Sequence, residues 1–134
     1  MQASRVLLAD SHLNVLSGVH SLLEDFFGSV LMVADQRSLI DALATHKPDL
    51  VVVDLSLPRE GETDIARQLL GSQPDLRLIV LSVHDELTVA RQLLNAGVAG
   101  FVLKRSASTD LIPAVREVLR GGTYVSPALL GAAP

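Results

Sequence analysis

At 134 residues and a formal net charge of −4, the chain is long enough to close one hydrophobic core and too short for two. It is 49% hydrophobic yet has no Trp, one Tyr and three Phe, so the core must be aliphatic. No basic cluster exceeds the pair Lys104-Arg105, which excludes the footprint of a nucleic-acid-binding domain, and the lack of Cys excludes disulfides and thiolate metal sites.

The N-terminus carries no basic segment followed by a long apolar one, and no apolar run nears the roughly 18 residues of a membrane span. The expectation is a cytoplasmic chain with no membrane contact.

The first apolar run, "RVLLAD", predicts a strand over 5–9 and leaves the carboxylate of Asp10 at its tip. Over 13–27, Leu16, Val19, Leu23 and Phe26/Phe27 recur at helical steps and give one buried face, which Gly28 ends. A strand at 29–34 follows. The helix over 38–46 opens on Ser38 with Asp41 three places on, a weak capping box, and Pro48 holds the chain extended before the next strand. That strand, "LVVVD" over 50–54, is the most apolar and so the most central, and it again ends in a carboxylate, Asp54. A helix over 62–70 stops at Gly71, a strand over 77–82 ends on Ser82, and a helix over 85–95 stops at Asn95-Ala96-Gly97. Asp85 and Glu86 suit the positive end of that helix. The strand over 100–103 leads into Lys104. The last helix, near 109–120, is expected to start around Asp110, because Pro113 is tolerated only in a first turn. Residues 122–134 show no helical period and are expected to form a tail or the start of a linker, leaving 1–121 as the domain.

Strands alternating with helices predict a parallel sheet covered on both faces by right-handed crossovers, with the ligand crevice outside the carboxyl ends of the strands. Asp10, Asp54, Ser82 and Lys104 all fall at such ends. Two carboxylates suit Mg²⁺, while an ammonium and a hydroxyl suit a phosphoryl group, and a carboxylate so placed can attack phosphorus. The bland reading, that each Asp merely caps the next helix, weakens when four such residues share one edge. Asp54 is the better nucleophile candidate.

Five segments, "VLLADSH", "PDLVVVDLSLP", "LIVLSVHDE", "AGVAGFVLKRS" and "VREVLRGGTYVSP", resemble in order and spacing the receiver domain of bacterial two-component response regulators, of the NarL/FixJ type, over 4–127. The resemblance implies a flavodoxin-like (βα)5 fold, a doubly wound parallel sheet of order 2-1-3-4-5. It implies Asp54 as phosphoacceptor and Asp10 as one of an acidic pair that with Asp54 and the carbonyl of Ser56 holds Mg²⁺. It implies Ser82 as switch hydroxyl, Lys104 as phosphate-pairing lysine and Phe101 as switch aromatic. A sensor histidine kinase or a small phosphodonor would supply the phosphoryl group; Ser82 and the 83–85 loop would move toward it, Phe101 would turn inward, and the domain would homodimerise. The domain is then not an enzyme beyond accepting its own phosphoryl group. DNA would be reached only through a C-terminal helix-turn-helix domain, which this sequence does not include.

The match is imperfect. Ser11 stands where the family has its second acid, so Mg²⁺ should bind more weakly and phosphorylation should be slowed or conditional, with Glu60 a candidate substitute. In "PREGETD" the usual acid-Gly pair after the proline is absent, and Phe101 lacks the hydroxyl of a switch tyrosine. Ser11 also supports an alternative, a pseudo-receiver that dimerises without phosphorylation. A flavin carrier on the same scaffold would want a phosphate-cradling loop after the first strand, which "ADSHLNV" does not supply. His12, His20, His46 and His84 show no paired-ligand spacing and are expected to be structural or solvated; Arg116 and Arg120 are expected on an exposed face of the last helix.

Overall fold

The computed structural model describes residues 5–10, 13–54, 64–83 and 87–131. Six strands form one parallel sheet, β1 (Arg5–Ala9), β2 (Ser29–Val33), β3 (Leu50–Asp54), β4 (Leu78–Ser82), β5 (Gly100–Leu103) and β6 (Tyr124–Val125), in the order β2-β1-β3-β4-β5-β6. Among the described residues the α-helices are α1 (Leu13–Glu24), α2 (Gln36–His46), α3 (Asp64–Ser72), α4 (Leu87–Asn95), α5 (Ala107–Leu119) and α6 (Pro127–Gly131). The expected five-strand order is present and gains a strand at its end.

Every residue of β3 and β4 is buried, as strands covered on both faces require. Alternation along them builds two cores. Leu7, Val51, Val53, Val80 and Phe101 face α2, α3 and α4, while Val6, Leu8, Val52, Leu81 and Val102 face α1 and α5. Gly100 marks the closest approach: a Cβ there would lie 2.9 Å from Ile79 Cγ1 and 3.5 Å from Val118 Cγ2, both side chains buried. Gly100→Ala should therefore overpack the β4–β5–α5 junction, lowering stability by about 1–2 kcal/mol. A shift of the urea midpoint at unchanged m-value would show it, and a midpoint at or above wild type would mean that Ile79 yields freely.

Several boundaries differ from the sequence expectation, each for a local reason. α2 begins before Ser38, because Asp35 is the N-cap and its Oδ1 accepts the Ser38 amide at 2.8 Å. That bond to the Ser38 backbone, foremost, holds the Asp35 carboxyl below its ordinary range. α1 stops at Glu24, so Phe26 leaves the helical face and is exposed while Phe27 turns into the core; Arg116 of α5 lies 5.9 Å over the Phe26 ring. For Leu16 only the backbone is described. α3 runs through Gly71 to Ser72.

α4 closes as anticipated, with Gly97 at φ 111, the Val98 amide on the Leu93 carbonyl and the Gly97 amide on that of Leu94, a Schellman arrangement. α5 starts at Ala107, earlier than expected, after a 3₁₀ turn over Lys104–Ser106, so Pro113 sits inside the helix and not in its first turn. An interior proline costs about 3 kcal/mol, which the burial of Leu111, Ala114, Val115 and Val118 against the sheet offsets.

The largest correction concerns the stretch after Arg120. It does not run free: Gly121 and Gly122 turn the chain back, β6 pairs in parallel with β5, and α6 places Leu129 in the core that faces α2, α3 and α4. Partial burial first, and then the charge of the Asp110 carboxylate in α5, push the titration of the Tyr124 phenol above the ordinary 10.0. Among the described residues no helix is long and apolar enough to cross a membrane.

Candidate functional site

The sheet register brings the expected residues to one edge. Ala9 pairs with Val53, Asp54 with Leu81, and Ser82 with Leu103, so Asp10, Asp54, Ser82 and Lys104 stand at the carboxyl ends of β1, β3, β4 and β5. Asp10 continues the ladder by one bond, its amide donating to the Val33 carbonyl at 3.1 Å.

The side chains of three of these residues meet. Lys104 Nζ donates to Asp54 Oδ2 at 2.6 Å and lies 3.5 Å from Asp10 Oδ2. The first is a short charge-assisted hydrogen bond; the second is an ion pair at longer range. Asp10 and Asp54 are 0% and 1% exposed and the Lys104 side chain 7%, so the cluster is shielded from water and its charges interact far more strongly than at a surface. Counting these three groups, the formal charge is −1.

Lys104 gets there because β5 ends at Leu103 and the 3₁₀ turn over Lys104–Ser106 begins the connection to α5. Asp54 gets there because β3 is central and apolar on both faces, leaving its last residue as the first point where a polar group is tolerated.

Ser82, the last residue of β4, is 1% exposed, one strand over from Asp54. Phe101 is completely buried and packs with the α2–α4 core, so its ring is already inward. Ser11, Ser56 and Glu60, with His12, His84, Asp85, Glu86 and residues 58–63 of "PREGETD", lie outside the described residues. Of the other histidines, His20 Nδ1 lies 3.5 Å from Glu24 within α1, and the His46 carbonyl accepts from Arg5. Among the described residues no group of three or more His, Cys, Asp or Glu gathers.

One residue beside the site escaped the sequence reading. Ser126, fully buried after β6, accepts the Leu103 amide on its hydroxyl at 3.0 Å, one residue before Lys104. Ser126-Pro127 after an apolar pair was the available signal, and it reads equally well as a turn.

Two hard-oxygen carboxylates opposed by one ammonium, with residual negative charge, fit a divalent cation of the Mg²⁺ type, which takes one or two protein carboxylates and keeps several waters. Such a cluster also fits nucleophilic attack by a carboxylate on a phosphoryl group whose charge the ammonium offsets.

Residues 6–116 match the model of the response regulator receiver domain. The chain is 35% identical over 127 residues to the response regulator GacA of Pseudomonas aeruginosa, covering 93% of this chain and 59% of GacA. It is 29% identical over 125 residues to the transcriptional regulatory protein DegU of Brevibacillus brevis, covering 92% of this chain and 53% of DegU. The chain thus spans somewhat over half the length of these relatives. Among solved structures, the isolated receiver domain of RcsB from Salmonella enterica serovar Typhimurium, in the presence of the phosphomimetic BeF3−, superposes with a TM-score of 0.85 at 25% identity, over 97% of this chain and 98% of that one. With the sheet order and the strand-end cluster already in hand, these likenesses settle the family: the chain belongs to the response regulator receiver domains of two-component systems, of the NarL/FixJ type.

Proposed function

We propose that this receiver domain accepts a phosphoryl group on Asp54. The observation that supports this most is the 2.6 Å contact of Lys104 Nζ with Asp54 Oδ2 beside the buried carboxylate of Asp10. An Asp54 carboxylate oxygen attacks phosphorus and forms an acyl phosphate. The bond from phosphorus to the donor breaks, and its electron pair leaves with the donor, the imidazole of a sensor histidine kinase or the carboxylate of an acyl phosphate. Lys104 passes from Asp54 to the incoming phosphoryl oxygens, and Asp10 keeps the ammonium close. Bound Mg²⁺ would neutralise phosphoryl charge, held by Asp10, Asp54 and the Ser56 carbonyl.

Ser82 and Phe101 carry the change onward: the hydroxyl turns to the phosphoryl group, and the buried ring answers the space it leaves. Homodimerisation of the phosphorylated domain, and control of transcription by a C-terminal DNA-binding domain in the whole protein, complete the reading. It places the chain in the cytoplasm, with DNA contacted by that further domain alone.

Incubation with acetyl phosphate and Mg²⁺, followed by intact mass, should show one phosphoryl group, lost on hydroxylamine treatment and mapping to Asp54. A mass blind to acetyl phosphate, with a dimer that forms regardless, would instead favour a module that works without phosphorylation.

Ser11 tunes this chemistry, since a hydroxyl replaces a carboxylate at the expected metal pair. Ser11→Asp adds a unit charge beside the ion and should tighten Mg²⁺ binding at least about tenfold, with faster phosphorylation by acetyl phosphate. Unchanged Mg²⁺ affinity and rate would show that Ser11 imposes no handicap.

A further inference from the structure

Lys104 does its work from a backbone that something must hold. On one side β5 is paired to β4, with Leu103 opposite Ser82. On the other side stands the two-residue strand β6, whose ladder ends abruptly. The Tyr124 amide donates to the Ala99 carbonyl and the Ser126 amide to the Phe101 carbonyl, both at 2.9 Å. In a continuing parallel ladder the next bond would run from the Leu103 amide to the Ser126 carbonyl. That carbonyl is diverted, because the chain turns into α6 at Pro127 and the Leu129 amide takes it at 3.0 Å.

The Ser126 hydroxyl stands in for the carbonyl and accepts the Leu103 amide at 3.0 Å. Ser126 is completely buried, and so is Leu103, so water cannot replace the bond. Ser126 is held on both sides. Tyr124, two residues back, is tied to β5 by its amide on the Ala99 carbonyl, and Leu129, three residues on, is sunk in the core.

We propose that Ser126 is a positioning residue for Lys104: by fixing the Leu103 amide through the hydroxyl, it sets the strand end from which Nζ reaches Asp54 Oδ2. This rests on the reading of Asp54 as phosphoacceptor, and it adds that the segment after α5 is part of the phosphoryl-accepting machinery.

The test is a double-mutant cycle read with acetyl phosphate and Mg²⁺. Ser126→Ala should slow phosphorylation of Asp54 roughly fivefold, the size of one net hydrogen bond, and Ser126→Thr should restore the rate. In a Lys104→Ala background Ser126→Ala should have no further effect. Equal slowing in both backgrounds would mean a general structural role and would overturn the proposal. Nuclear magnetic resonance decides the same point without phosphorylation. In Ser126→Ala the Leu103 amide should exchange faster with solvent and the Lys104 ammonium resonance should shift or broaden, while β1 and β3 amides stay protected. An unchanged Lys104 resonance would overturn the proposal. If the wild-type domain takes no phosphoryl group, the phosphoacceptor reading fails, and the resonance measurement still decides whether Ser126 positions Lys104. Should the alanine variant fold poorly, Ser126→Cys retains the volume with a weaker acceptor, and the same Lys104 shift in smaller measure is expected.

Discussion

Asp54→Asn should abolish phosphorylation by acetyl phosphate while leaving the domain folded and about as stable as wild type. The amide has no nucleophilic carboxylate oxygen, so incorporation falls to background and not to a reduced rate. Stability should hold because two effects oppose each other. Removing a charge from a site that is 1% exposed weakens the 2.6 Å bond from Lys104, yet the amide oxygen still accepts it, and the like-charge repulsion from Asp10 disappears. The expected net change is within about 1 kcal/mol in urea unfolding. Residual phosphorylation of Asp54→Asn at another carboxylate would remove Asp54 from its assigned role. A collapse in stability would show that the carboxylate is structural before it is functional.

Lys104→Met is the opposite case. Methionine keeps much of the volume and the apolar stem but removes the ammonium, leaving the carboxylates of Asp10 and Asp54 buried together without it. Breaking a buried ion pair from one side costs about 3 kcal/mol or more. The loss should be largest without divalent ions. Added Mg²⁺ should recover part of it, because a cation that binds only the folded state stabilises by mass action. Combining Lys104→Met with Asp54→Asn should also recover part of it, since one buried negative charge is then gone. Wild-type stability in the single variant at neutral pH without Mg²⁺ would mean that the contacts of Lys104 with these carboxylates do not stabilise the fold.

Both predictions concern residues that the sequence already singled out, and there is a physical reason why they were legible. A parallel sheet buried on both faces leaves polar residues only where strands end. Asp10, Asp54, Ser82 and Lys104 therefore announce themselves as the places where "VLLA", "LVVV", "LIVL" and "GFVL" stop. The same apolar runs fixed the five strands to within a residue of their observed ends.

What escaped was decided by tertiary contacts that carry no local period. β6 has two residues and no apolar alternation; it is a strand because β5 offers an open edge. α2 is capped by an acid, Asp35, that reads as loop until its carboxylate is seen on the Ser38 amide. Phe26 fits the apolar stripe of α1 by count, but the helix ends at Glu24 and the ring is left to stack under Arg116. Pro113 implied a later start for α5 because intrinsic propensity cannot weigh four buried side chains on the same helix against one missing amide.

These contacts tie the C-terminal turn to the site more closely than the linear sequence suggests. Ser126 and Lys104 lie far apart in the chain, yet one hydrogen bond and one peptide link separate the buried hydroxyl from the residue that contacts Asp54.

All of this depends on the buried cluster of Asp10, Asp54 and Lys104 admitting a phosphoryl group at Asp54. Its most direct measurement is a crystal structure of the domain grown with Mg²⁺ and beryllofluoride. The account predicts beryllium bonded to an Asp54 carboxylate oxygen, with Lys104 Nζ against a fluorine and Asp10 on the metal side. Beryllofluoride absent at saturating concentration, or bound elsewhere while Lys104 still bridges Asp54 and Asp10, would contradict it.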